Sequence, residues 1–202
     1  MLSPTAEEVV LALPTPVVPV RHARSTIILG SLATVRESGR FSEYEARLSA
    51  AHRDVLLNLV AGAWVPLDLA FAHYQACDEL GFTRDQAVAN GRATFDKTSG
   101  TLLGTVIRMA KEAGVSPWTI FPQYQRFWSR AYDGNGVAVY NLGPKEVRVD
   151  IVQSRLVESR YYRDALRGLL IGVTELFCTK AYVTERPGRL APMSASFRMQ
   201  WA

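Results

Sequence analysis

The stretch from Val137 to Trp201 constrains the fold most: two β-prone runs, an amphipathic helix, then two more β-prone runs. Val137–Asn141 and Glu146–Val152 flank the turn sequence Leu142-Gly143-Pro144-Lys145, with Val147, Val149 and Ile151 alternating against Arg148 and Asp150. Period-two alternation puts one set of side chains on each face, so this is a hairpin with one dry face. Lys180–Arg186 and Ser194–Trp201 repeat the pattern around a Pro/Gly-rich turn, with Ala195, Phe197, Met199 and Trp201 on the apolar side. Arg148, Asp150, Arg198 and Gln200 fall on the outer face, expected to be solvated or used for contact.

Between the hairpins, Ser159–Phe177 presents Tyr162, Leu166, Leu169, Val173 and Leu176 at helical spacing, with Arg160, Arg163, Asp164 and Arg167 opposite. Ala165, Gly168 and Gly172 form a small-residue line that lowers helix propensity, which implies another backbone, the sheet, packed closely there. The reading is an α+β chain with a hairpin–helix–hairpin unit and an N-terminal helical part packed on an antiparallel sheet.

Upstream, residues 1–23 hold four prolines and read as an extended or disordered arm, with residues 24–202 as a single domain. Thr26–Val35 is β-prone and is expected as a strand, although a helix is compatible with it. Phe41–Val60 reads as one helix, Pro66 to about Leu80 as a second, and Thr83 with Gln86 as the capping box of a third. Gly100 and Gly104 predict a kink or break near Asp96–Gly100. Ser116-Pro117 starts a helix carrying Trp118, Phe121, Tyr124, Phe127, Trp128 and Tyr132, stopped by Asp133-Gly134-Asn135-Gly136. The helical part spans about 41–133 and the sheet part about 137–201.

Catalytic and metal chemistry finds no support. His22, His52 and His73 are 30 and 21 residues apart, and Cys77 and Cys178 are 101 apart, which matches neither a zinc pattern nor a disulfide framework. Both cysteines read as small buried hydrophobes, and the reducing context that follows is cytoplasmic. No nucleophile elbow, phosphate-binding loop or dinucleotide fingerprint occurs. The chain is read as a non-enzyme with no metal or cofactor. No apolar run is long enough to span a bilayer. The formal charge of +4 lies wholly in residues 145–202, which hold 10 basic and 6 acidic side chains. Without consecutive basic residues this reads as an interleaved surface, and nucleic acid is not the expected partner.

From Trp64 to Trp201 the chain resembles a family of uncharacterised bacterial proteins related to the haem-NO-binding, 4-vinyl-reductase-like and TRAPP-subunit superfamily. Three matches carry the resemblance, in order: Trp128-Ser129-Arg130-Ala131-Tyr132-Asp133-Gly134, Tyr162-Arg163-Asp164-Ala165-Leu166-Arg167-Gly168-Leu169-Leu170, and Phe197-Arg198-Met199-Gln200-Trp201. It implies helices packed on a C-terminal sheet with an apolar pocket between them, and sensing, binding or assembly rather than catalysis. The chain departs from it in lacking the Tyr-x-Ser-x-Arg haem-propionate motif and the cysteines that some relatives carry before the last strand.

Two functions follow. The first is a ligand-binding or sensory domain for a small apolar ligand, with His73, Tyr124, Trp128, Arg130 and Tyr132 as candidate site residues. The second is an interaction or self-assembly module, a homodimer or a docking surface for a protein partner, using Arg160, Arg163 and Arg167 or the sheet face.

Overall fold

A computed structural model describes residues 7–102, 116–188 and 191–202. In chain order the elements are β1 (Glu8–Leu11), β2 (His22–Arg24), α1 (Ser25–Glu37), α2 (Phe41–Arg47), α3 (Ala50–Leu57), β3 (Trp64–Pro66), α4 (Leu67–Glu79) and α5 (Arg84–Leu102). Two 3-10 turns, Pro117–Thr119 and Phe121–Gln123, lead into α6 (Tyr124–Ala131), β4 (Val137–Gly143) and β5 (Glu146–Ile151). A further 3-10 turn, Arg155–Glu158, precedes α7 (Arg160–Thr174), β6 (Ala181–Glu185) and β7 (Ala195–Trp201). The fold is α+β.

The main sheet is antiparallel in the order β1-β4-β5-β7-β6, and β2 pairs with β3 apart from it. Both predicted hairpins form, and β5 pairs with β7 so that Val149 lies between Val139 and Phe197. The apolar face is buried as the alternation requires, with Val147, Phe197 and Met199 fully enclosed. The opposite face is solvated only in part. Arg198 and Gln200 are exposed. Asp150, by contrast, is buried, accepting from Ser196 Oγ at 2.6 Å and Arg148 Nε at 3.1 Å, while Arg148 stacks on the Tyr140 ring at 4.0 Å. An ion pair between Arg148 and Glu7 completes the cover. Residues before 24 thus contribute an edge strand, β1, as well as β2.

Three local expectations are corrected. Thr26–Val35 lies within helix α1, which is buried on most of its circumference, including Ile27, Ile28, Gly30, Ser31, Leu32, Thr34 and Val35. Burial on nearly every side gives the segment neither helical nor strand periodicity, and tertiary packing overrides its β-branched propensity. Phe41–Val60 is two helices, because Leu48 is extended and Ser49 caps a new helix by accepting from the His52 N–H. Of the kink or break expected near Asp96–Gly100, the break is absent, since α5 runs from Arg84 to Leu102; Gly104 lies outside the described residues. Its start follows the predicted capping box: the Thr83 N–H donates to Gln86 Oε1 at 2.9 Å, and the Gln86 N–H to Thr83 Oγ1 at 3.3 Å.

The small-residue line on α7 meets α5, not the sheet. A Cβ placed on Gly168 would sit 2.0 Å from the Val88 carbonyl oxygen, and one placed on Gly91 would sit 1.8 Å from that of Ala165. Glycines on both helices let the two backbones touch, which is why each tolerates an interior glycine that costs about 1 kcal/mol in propensity. The polar face of α7 is covered in part: Arg160 is exposed, whereas Asp164 is buried against Arg167 at 3.0 Å.

Candidate functional site

The aromatic segment does not form one helix from Pro117. Two 3-10 turns precede α6, with Pro117 opening one and Pro122 lying inside the other. This offset brings Tyr124, Trp128 and Tyr132 inward, all buried, while Arg126, Ser129 and Arg130 face out. Facing them are Leu166, Leu170 and Val173 of α7, Val149 and Ile151 of β5, and Phe95 of α5. These elements enclose a partly open cavity of about 90 Å³, whose only polar lining side chains among the described residues are Tyr124, Trp128, Tyr132 and Thr98. No charged side chain among those residues lines it.

Burial sets the chemistry of these groups. It pushes the Tyr132 hydroxyl up to about 12 and the Tyr124 hydroxyl higher still, so both stay neutral. Tyr124 Oη lies beside Thr174, whose own hydroxyl donates to the Leu170 carbonyl at 2.8 Å, but it makes no hydrogen bond of normal geometry among the described residues. Trp128 Nε1 is likewise buried without an acceptor among the described residues. Tyr132 also belongs to a ring cluster with Tyr162, 6.3 Å away, which in turn packs on Tyr74 at 4.9 Å.

The fold gathers Tyr124, Trp128 and Tyr132 at this cavity but places the other two candidates elsewhere. His73 is fully buried within the helical part, where its Nδ1 is 2.8 Å from Tyr44 Oη and its Nε2 is 2.9 Å from Ser31 Oγ. Burial depresses it to about 3, so the ring is a neutral donor–acceptor that satisfies two hydroxyls. Arg130 is exposed and does not line the cavity. Sequence reasoning missed the contributions of Ile27 and Phe95, because the Thr26–Val35 segment is compatible with strand or helix and Phe95 falls beyond the aromatic segment.

The three candidate surface arginines are engaged within the chain. Arg160 donates to the Phe82 carbonyl at 2.8 Å, Arg163 to that of Val157 at 2.7 Å, and Arg167 to that of Val183 at 3.1 Å. Among the described residues no cluster of three metal-ligating side chains occurs, and no helix is long and apolar enough to cross a membrane.

Comparison with solved structures matches this architecture over most of the chain. The Fe(II) unliganded H-NOX protein from K. algicida superimposes with a TM-score of 0.63 at 11% identity, covering 89% of this chain and 96% of that one. A point mutant of the T. Tengcongensis H-NOX gives a TM-score of 0.58 at 12% identity, covering 88% and 97%. The fold is that of the H-NOX domain. An oxygen-binding H-NOX domain related to soluble guanylate cyclases is similar too, with a TM-score of 0.54 at 13% identity over 88% of this chain and 94% of that one. No protein-family model matches the sequence, and no curated protein does.

Proposed function

We propose that this chain is a non-catalytic, ligand-binding sensory domain on the H-NOX fold, which takes a small apolar molecule between α6, α7 and the sheet. The observation that carries the reading is the apolar, partly open cavity of about 90 Å³ lined by Tyr124, Trp128 and Tyr132. Natural packing leaves few voids larger than a water molecule, and apolar cavities of this order stay dry and take up small hydrocarbons.

The similar solved structures include an Fe(II) unliganded H-NOX protein and one in which porphyrin distortion modulates the redox potential of a haem. The described residues of this chain do not fit that group. Protein haem is held by His, Cys, Met or Tyr. No His, Cys or Met among them lines the cavity, and the two tyrosines that do are held protonated by burial. His73, the one buried histidine, is committed to Tyr44 and Ser31, and residues 99–115 contain no His, Cys or Tyr and a single Met, Met109. The space is also well below the roughly 300–1,000 Å³ of ordinary cofactor pockets.

The test is a thermal titration with benzene, toluene and n-hexane, since a ligand that binds only the folded state raises the melting temperature with its concentration. A saturable rise, abolished by Ala131→Leu at the cavity wall, supports the reading. It is overturned if no probe gives a saturable rise, or if hemin reconstitutes with a stoichiometric Soret band.

A further inference from the structure

A second, polar groove of about 460 Å³ opens where the start of α5, α7 and the end of β6 meet. Its volume falls within the range of small-molecule sites. Arg84, Arg163, Arg167 and Arg186 line it, and among the described residues Glu185 is the one carboxylate beside them. The C-terminal basic excess of the sequence is thus concentrated in part on one concave surface.

Behind the groove the charges are unequally shared. Asp164 sits 3.0 Å from Arg167 and 3.6 Å from Arg84, and Glu185 sits 2.9 Å from Arg163. Glu7 is 3.7 Å from Arg186 but closer to Arg148, which also holds Asp150 at 3.1 Å. Glu146, which also feels Arg186, is paired with Arg198 at 2.9 Å, so among the described residues six guanidiniums face five carboxylates. Arg84 and Arg186 lean on acids that a nearer guanidinium already neutralises, and their side chains are 71% and 42% exposed. Arg163 and Arg167 differ: they are 18% and 14% exposed and anchored by backbone carbonyls. Two fixed forks and two under-used ones open on the same space. Planar guanidiniums donate bidentately to phosphate, and anchoring them removes part of the ordering cost of binding.

We propose that this groove binds a phosphorylated small molecule, with Arg84, Arg163, Arg167 and Arg186 donating to the phosphate oxygens. The groove is larger than one phosphate group needs, so an organic portion of nucleoside or sugar size occupies the remainder. The assignment is independent of the apolar cavity.

Calorimetric titration of the full chain at about 20 mM salt, with adenosine 5′-monophosphate, pyrophosphate and adenosine as probes, tests it. Both anions bind and adenosine does not, with affinity falling as salt rises. The double variant Arg84→Ala/Arg186→Ala, which removes only the exposed arginines, weakens both anions at least tenfold at an unchanged melting temperature. Absence of binding by either anion overturns the proposal, as does equal affinity in the double variant or equal binding of adenosine. Tighter binding of a phosphotyrosine peptide than of the nucleotide overturns the small-molecule assignment in favour of a phosphorylated protein segment.

Discussion

The Asp133 carboxylate holds both the backbone and the ring of His22: Oδ1 accepts the His22 N–H at 2.8 Å, and Oδ2 lies 2.7 Å from His22 Nδ1. It also accepts the Arg21 N–H at 2.8 Å, and two residues on, Asn135 Oδ1 accepts the Val18 N–H at 2.6 Å. Burial alone would raise the Asp133 carboxyl, but these donors outweigh it and hold it below the ordinary range. The Asp-Gly-Asn turn that ends α6 is thus a clamp on the N-terminal segment. Asp133→Ala is expected to cost about 2 kcal/mol, the scale of lost hydrogen bonds to a charged group. Amide exchange in residues 18–24 should quicken with it. Asp133→Asn, which keeps an acceptor for the backbone donors, should lose less. Unchanged exchange in 18–24 would show that the clamp is not what orders the arm.

The contact between α5 and α7 depends on the absence of two side chains. Gly168→Ala would drive a methyl to 2.0 Å from the Val88 carbonyl oxygen, which is backbone and cannot rotate away. Overpacking of this kind costs about 1–3 kcal/mol, outweighing the gain of about 1 kcal/mol in helix propensity. A lower melting temperature is expected in a circular dichroism melt. Stabilisation by Gly168→Ala would mean that the helices separate freely.

How much of this was legible in the sequence depended on whether an element has one wet face. β5, β6, β7 and α7 alternate polar with apolar side chains in sequence, so their periodicity showed in Val147, Val149, Phe197 and Met199. α1 is enclosed on nearly every side and has no such signal; its Ile27, which lines the cavity, was therefore missed. Periodicity showed that Gly168 and Gly172 needed a close neighbour but could not say which, and the answer, α5, lies some 80 residues away in sequence. At the site, the aromatic spacing of Tyr124, Trp128 and Tyr132 led to the cavity. Nothing local distinguished His73, a partner of Tyr44 and Ser31, from a ligand-facing histidine.

His73 gives the fold an acid dependence of definite sign. Burial depresses it to about 3 in the folded chain, against about 6.5 when exposed. Below pH 6.5 the unfolded chain takes up a proton that the folded one refuses, so stability is complete above that pH and falls as the pH drops towards 3. The slope from this group approaches about 1.4 kcal/mol per pH unit. Urea titrations from about pH 7.5 to about 4.5 should show that decline, and His73→Gln, which cannot titrate, should flatten it even if it lowers stability throughout. An equally steep curve in the variant would assign the acid lability to other groups.

Leu170 separates packing from ligand binding at the cavity. It is 6% exposed and lies on the wall formed by α7, so Leu170→Ala should destabilise the empty chain by about 2–5 kcal/mol. The same change enlarges the cavity opposite Trp128 and adds no polar group, so toluene should bind more tightly and restore more melting temperature than it does in the parent. Ligand rescue follows because binding to the folded state alone shifts the unfolding equilibrium by mass action. The two halves of the prediction fail separately. A small loss of stability would mean that the walls collapse to fill the space, whereas a full loss without toluene rescue would mean that the cavity is closed to ligands and serves packing only.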